Sequence, residues 1–207
     1  MTTKELIIEK ALTLFAENGY QGTSVKNIAD AVGIKDSSLY KHFKSKKEIF
    51  DTIVQEMSSR MEQMSLGYGL PDEDGMESAA ALYGALTLGA LLDLSKKIFL
   101  FYLKDEFAAR FRRMLTIEQY RDREIYEVYR QIFMEAGITY QAALFEEMCR
   151  QGIFRSSSPE IMALHFYAPI FFLLNKYDQE PEKKEEALNV LEAHVREFAR
   201  VYRQNQD

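Results

Sequence analysis

The stretch from Ser24 to Phe50, SVKNIADAVGIKDSSLYKHFKSKKEIF, constrains the fold of this chain more than any other. Val25, Ile28, Ala29 and Val32 fall at i, i+3, i+4 and i+7, the period of one buried helical face. Gly33 follows where the backbone has to leave that helix, and glycine takes a positive φ at no steric cost. A second helical segment is predicted from about Lys35 to Phe43, with Leu39 and Phe43 four apart as its buried pair. Ser37, Ser38, Tyr40, Lys41 and His42 are left facing outward. Two short helices meeting at a glycine, the second bearing hydroxyl, aromatic and basic side chains, make a helix-turn-helix whose second helix fits a DNA major groove.

Charge sets this stretch apart from the rest. Between Lys26 and Lys47 six lysines stand against Asp30 and Asp36, whereas the whole chain carries a net charge of −6. Residues 1–50 hold eight lysines and six acidic residues, a balance of +2, so residues 51–207 carry −8. A lysine-rich surface read alone is a solvated face. Joined to the helix-turn-helix pattern it becomes an electrostatic footprint for DNA at the N-terminus, with something other than nucleic acid for the remainder.

With 207 residues, 47% of them apolar, the chain has room for one large or two small domains with real cores. Four prolines, abundant Phe and Tyr and no alternating strand pattern predict an all-α fold. Ser78 to Leu92 and Ile161 to Asn175 are uncharged for 15 residues each. Both fall short of the roughly 20 needed to cross a bilayer, so no membrane partner is expected. The N-terminus MTTKELIIEK carries charges within its apolar positions and does not read as a signal peptide. The single cysteine, Cys149, excludes an intrachain disulfide, fits a cytoplasmic setting and reads as inert packing rather than a redox sensor. There is no GxSxG, P-loop, HExxH or dinucleotide fingerprint, and His42, His165 and His194 are scattered. Neither an enzyme, a cofactor nor a metal site is expected.

The first helix is predicted from about Thr3 to Glu17, with Ile8, Ala11, Leu12 and Phe15 inward and Asn18-Gly19 as its stop. Thr23 or Ser24 caps the second helix. After Lys44-Ser45 a linker helix carries Phe50, Ile53, Met57, Met61 and Met64 on one face, and Gly67 to Gly75 follows as a loop. Residues 76–155 read as three or four helices of high aromatic density. Phe99, Tyr102, Phe107, Phe111, Tyr126, Tyr129 and Phe133 are candidates to line an effector cavity, ordinary core or subunit contact being the alternative. Gly137 and Gly152 are predicted helix ends, and Ser158-Pro159 a helix start.

Two closing helices carry a second pattern. Ile161, Leu164, Ala168 and Phe171 recur in the first, Leu188, Leu191, Val195, Phe198 and Tyr202 in the last, and the short polar link from Asp178 to Pro181 predicts an antiparallel hairpin. Such a hairpin pairs with its copy into a four-helix interface, giving a twofold dimer through Ile161, Leu164, Ala168, Phe171, Leu188, Leu191, Val195 and Phe198. Pro169 predicts a kink, and His165 a buried interface histidine rather than a ligand contact. The expected division is a three-helix DNA-binding domain over residues 1–47 and a helical effector-binding and dimerisation domain over residues 48–207.

From Ile7 to Phe50 the order of features resembles the TetR/AcrR family of bacterial one-component transcriptional regulators. Ala11, Leu14, Phe15, Gly19, Thr23, Ile28, Ala29, Gly33, Leu39, Tyr40, Phe43, Lys46 and Ile49 stand at that family's spacings. Over residues 76–207 the likeness is one of architecture. Lys35 departs from the family's usual capping Ser or Thr, and Asp36-Ser37 from its frequent basic-Gly pair. Asp36 suits the helix dipole but repels phosphate. The resemblance implies a homodimer on a roughly palindromic double-stranded operator, with half-sites about 34 to 36 Å apart. It implies Lys35, Ser37, Ser38 and Lys41 at base edges, and Tyr40, His42, Thr23, Lys26, Lys44 and Lys46 at phosphates. It also implies a repressor released by a small molecule. The aromatics suggest a lipophilic effector, while the acidic surplus allows a cationic one. A DNA-bound scaffold or coactivator answering to a protein partner is the alternative.

Overall fold

The computed structural model describes residues 1–69 and 75–204. Among the described residues there are eleven α-helices and no β-strand beyond one isolated bridge, Phe154 to Arg203. In order they are α1 (Thr3–Asn18), α2 (Val25–Val32), α3 (Asp36–Leu39), α4 (Lys46–Gly67), α5 (Met76–Ala85), α6 (Leu88–Lys104), α7 (Glu106–Glu118), α8 (Arg123–Tyr129), α9 (Ala136–Arg150), α10 (Pro159–Lys176) and α11 (Lys184–Tyr202). Positions 70–74 of the predicted Gly67–Gly75 loop lie outside the described residues. The chain divides into two compact units. One is Met1–Gln63 with Asp105–Arg130, the other Met64–Lys104 with Gln131–Asp207.

In the first unit α1 starts at a capping box. Thr2 Oγ1 accepts from the Glu5 amide at 3.2 Å, and the Thr2 amide donates to Glu5 Oε2 at 2.8 Å. The helix buries Ile7, Ile8, Ala11, Leu12 and Phe15 and ends at Gly19, which takes φ 79° and donates its amide to the Phe15 carbonyl at 3.0 Å. Its packing partners include α2 and α7. Gly19 lies hard against the carboxylate of Glu118 at the end of α7, where a side chain would collide with it. Glu118 is fully buried, and one of its oxygens accepts the Gln21 amide at 3.3 Å. Gln21 Nε2 donates to Asp122 Oδ2 at 2.9 Å, and Asp122 also caps α8 by accepting from the Glu124 and Ile125 amides. Farther along α7, Arg110 reaches the Thr13 hydroxyl at 3.3 Å. The compact unit around the helix-turn-helix therefore runs past residue 47 and takes in a helix pair far away in sequence.

In the second unit α6, α10 and α11 share one core, with Phe99, Leu173, Tyr177 and Leu191 at its centre. A second core joins α5, α9, α10 and α11 around Ala80, Phe145, Met162 and Phe198. Ser158 caps α10 by accepting the Ile161 amide, with Pro159 at the first helical position. The α10–α11 hairpin is antiparallel, since it pairs His165 with Tyr202, Phe166 with Phe198 and Tyr177 with Glu186. Gly152 takes φ 72° just beyond α9, as expected of a helix end. Gly137 does not end a helix. It is the second residue of α9, which follows a π-helical turn at Arg130–Glu135, and a Cβ there would stand 2.7 Å from the Tyr167 ring. Its role is close approach between α9 and α10. Tyr167 in turn donates its hydroxyl to the Phe133 carbonyl of the π turn at 2.8 Å.

Half of the predicted dimer stripe is buried within the chain itself. Leu188, Leu191, Val195 and Phe198 are buried in the chain's own core, because the repeat that marks burial on α11 is filled by α6, α9 and α10. Phe171 is half-buried, whereas Ile161, Leu164 and Ala168 stay exposed and Phe172 joins them on α10. Val190 and Val201 are the exposed valines of α11.

Replacing Gly19 by Ala forces an L side chain into positive φ and against a buried carboxylate. The variant is expected to lose about 1–3 kcal/mol of stability, seen as an earlier midpoint in urea unfolding.

Candidate nucleic-acid interface

Local chemistry builds α2 and its turn. Ser24 Oγ accepts the Asn27 amide at 3.1 Å while the Ser24 amide donates to Asn27 Oδ1 at 2.8 Å, a reciprocal cap. Ile28 and Ala29 face inward. At Gly33 the chain turns left-handed, φ 77° and ψ 30°, and the Ile34 amide returns to the Ala29 carbonyl at 3.0 Å.

The recognition segment is shorter as α-helix than predicted. Only Asp36–Leu39 is α-helical, and beyond it the chain tightens as the Lys41 amide bonds the Ser38 carbonyl and the His42 amide the Leu39 carbonyl. Lys35 supplies no capping oxygen, and serines at 37 and 38 are poor helix formers, so nothing local extends the helix. Leu39 and Phe43 are both buried, as their spacing predicts. They anchor a surface on which Lys35, Ser37, Tyr40, Lys41, His42 and Lys44 are exposed and Ser38 is half-buried, with Lys26 exposed on α2. Among the described residues none of Lys26, Lys35, Lys41 and Lys44 is held in an ion pair. Their charges are available to a polyanion.

Two expected phosphate contacts are spent inside the protein. Thr23 is 2% exposed, and its hydroxyl donates to the Gly19 carbonyl at 2.9 Å and the Leu14 carbonyl at 3.3 Å; Ser24 does the capping. Lys46 Nζ donates to the Tyr20 and Thr23 carbonyls at 2.7 and 2.9 Å and sits 4.2 Å from the Tyr20 ring centroid. Burial lowers its pKa, against the opposing pull of Glu118 and Asp122. Lys46 ties the start of α4 to the α1–α2 turn. The Tyr20 ring meets Phe15 and Phe50 edge-on at 5.2 and 5.4 Å, and burial raises its hydroxyl pKa. Lys47 bridges Asp51 at 3.1 Å and Glu124 at 3.0 Å. Sequence reasoning misses Gln21, Glu118 and Asp122, whose pairing spans about a hundred positions and leaves no local signal.

The seven aromatics expected around an effector do not gather within one unit. Phe107, Phe111, Tyr126 and Tyr129 belong to the first unit and Phe99, Tyr102 and Phe133 to the second. Phe99, Phe111, Tyr129 and Phe133 are at most 4% exposed, as core residues are. Burial carries the Tyr102 hydroxyl up to about 12, and the face of Phe107 is covered by the Arg60 guanidinium at 4.5 Å. An open groove of about 590 Å³ lies instead along Gln131, Met134, Glu135, Ala136, Ile138 and Thr139. His165 is exposed rather than buried, 2.6 Å from the Tyr202 hydroxyl, and Cys149 donates its thiol to the Arg155 carbonyl at 3.3 Å. Among the described residues no helix is long and apolar enough to cross a membrane, and no cluster of three His, Cys, Asp or Glu could hold a metal ion.

Residues 7–53 match the family described as bacterial regulatory proteins, tetR family. The same end of the chain is 52% identical over 52 residues to the biofilm operon icaADBC HTH-type negative transcriptional regulator IcaR of Staphylococcus aureus strain Newman. That match spans 25% of this chain and 28% of the relative's length. A TetR-family regulator structure from Mesorhizobium loti covers 98% of this chain and 97% of its own at TM-score 0.68 and 23% identity. A complex of SmeT with triclosan covers 100% and 94% at TM-score 0.67 and 20% identity; SmeT is the repressor of the Stenotrophomonas maltophilia multidrug efflux pump SmeDEF. The likeness to the tetR family's model is thus confined to residues 7–53, while the described residues share an all-α fold with the solved TetR-family structures.

Lys46→Ala should cost about 1 kcal/mol of stability through its missing hydrogen bonds, leaving the salt dependence of DNA binding unchanged. Lys41→Ala should keep stability and lower the slope of log affinity against log salt by about 0.9 for each phosphate that is no longer neutralised. Paired unfolding and anisotropy titrations separate the two lysines.

Proposed function

We propose that this protein represses transcription as a homodimer whose two copies of α3 enter successive major grooves of a roughly palindromic operator. The carrying observation is the exposed segment Lys35–Lys44, mounted on buried Leu39 and Phe43 and rich in lysines without ion-pair partners. Free cations of this kind displace counterions from DNA, and that release supplies most of the non-specific affinity. In this reading residues 1–47 bind the operator and residues 48–207 serve effector binding and dimerisation. Lys35, Ser37, Ser38 and Lys41 meet base edges; Tyr40, His42, Lys26 and Lys44 meet phosphates.

The α10–α11 hairpin supports the dimer. Ile161, Leu164 and Phe172 are 47%, 46% and 62% exposed on α10, and Val190 and Val201 are exposed on α11, an apolar surface suited to a second copy. A small lipophilic effector is the favoured releasing signal, in keeping with a SmeT structure that holds triclosan. Such a molecule releases DNA only by binding one arrangement of the dimer more tightly than another. The lever is α4, whose Arg60 reaches Asp105 at 3.8 Å and covers Phe107 on α7. A regulator answering to a protein partner is the second reading, favoured by the tight packing of Phe99, Phe111, Tyr129 and Phe133.

Titrating a labelled operator duplex while salt rises from about 50 to about 200 mM should weaken binding by orders of magnitude, as many phosphate contacts require. Binding independent of salt contradicts the proposal. Phe172→Glu should convert the dimer to monomers in sedimentation velocity and weaken binding to the palindrome far more than to a single half-site.

A further inference from the structure

We infer that Asp36 reads a cytosine in each operator half-site, an inference that rests on α3 being the recognition helix. Asp36 opens α3, and the N-terminal residues of a recognition helix are those that meet base edges. Its side chain is exposed, and among the described residues no hydrogen bond or ion pair engages its carboxylate, although Lys35 is its chain neighbour. The side chain is short. When α3 enters the groove the carboxylate goes with it and cannot fold back to water as a glutamate could. An ionised carboxylate only accepts hydrogen bonds, and one desolvated without a donor is costly.

The major groove offers it a narrow choice. Guanine presents two acceptors, thymine an acceptor and a methyl group, and adenine a donor beside an acceptor; cytosine presents its N4 amino group alone. Cytosine N4 is the edge that satisfies a carboxylate without setting another acceptor against it. The same charge rejects guanine at that position by repulsion, so Asp36 acts as a filter in a head where, between Lys26 and Lys47, six lysines outweigh it and Asp30. It contributes specificity rather than affinity.

Selection from a randomised duplex library, followed by anisotropy titrations of the full-length protein, tests this. The wild type should enrich a half-site with one fixed C·G pair, and replacing that pair should weaken binding at least tenfold. Asp36→Ala should bind all four bases there alike, with preferences elsewhere unchanged. Asp36→Asn, nearly the same shape, should shift the preference at that pair to adenine, whose N6 and N7 suit an amide. Circular dichroism checks that both variants fold. Retention of the same cytosine preference by both folded variants, or an enriched site with no fixed C·G pair, overturns the role of Asp36 while leaving DNA binding standing. Failure to enrich any sequence overturns both.

Discussion

The buried carboxylate of Glu118 is the constraint on which the unit containing the helix-turn-helix turns. A fully buried acid has to be met by donors, and here it takes the Gln21 amide at 3.3 Å, with an Arg121 nitrogen at 3.8 Å. No hydrogen-bond partner among the described residues meets its second oxygen. Room for the group comes from Gly19, the one residue type that tolerates both the positive φ and the close approach. Asp122, a turn farther on, holds the Gln21 side chain, and Lys46 is bound to carbonyls of the same turn. The end of α1 and the start of α4 are thereby joined in one polar cluster to the α7–α8 junction, about a hundred positions from Gln21. Such a cluster fixes register more strictly than apolar packing alone, because a shifted arrangement leaves buried groups unmet.

A division of labour among the lysines follows. Lys46 and Lys47 are committed to the fold, one to backbone carbonyls and the other to carboxylates of α4 and α8. The lysines at 26, 35, 41 and 44 carry no such duty, and they lie on the α2–α3 surface that a duplex would meet. Local positive charge in the sequence is thus only part internal scaffolding. The rest is an unneutralised surface, whose mutual repulsion the proposed binding of a polyanion would relieve.

What the sequence discloses follows from the range of the forces involved. The helix-turn-helix is readable because its determinants are local: the four-residue spacing of Leu39 and Phe43, the cap at Ser24, the left-handed Gly33. Thr23 and Lys46 mislead, since a hydroxyl and an ammonium beside a DNA-facing helix look alike whether they point outward or close an internal turn. Periodicity finds the buried face of α11 at Leu188, Leu191 and Val195 but does not say whether a copy or the same chain buries it. The exposed neighbour Phe172 carries no such repeat. Aromatic density suggests a cavity, though aromatics fill cores by the same burial that would line a pocket. The tie between Gln21 and Glu118 has no sequence signature at all.

Amide hydrogen exchange with and without a bound duplex tests the central claim, that the head anchored on Glu118 presents residues 35–44 to DNA. The account predicts slowed exchange across 35–44 on binding, and slow exchange at the Gln21 amide in both states because Glu118 holds it. Unchanged exchange across 35–44 with a duplex bound, or fast exchange at Gln21 in the free protein, would contradict it.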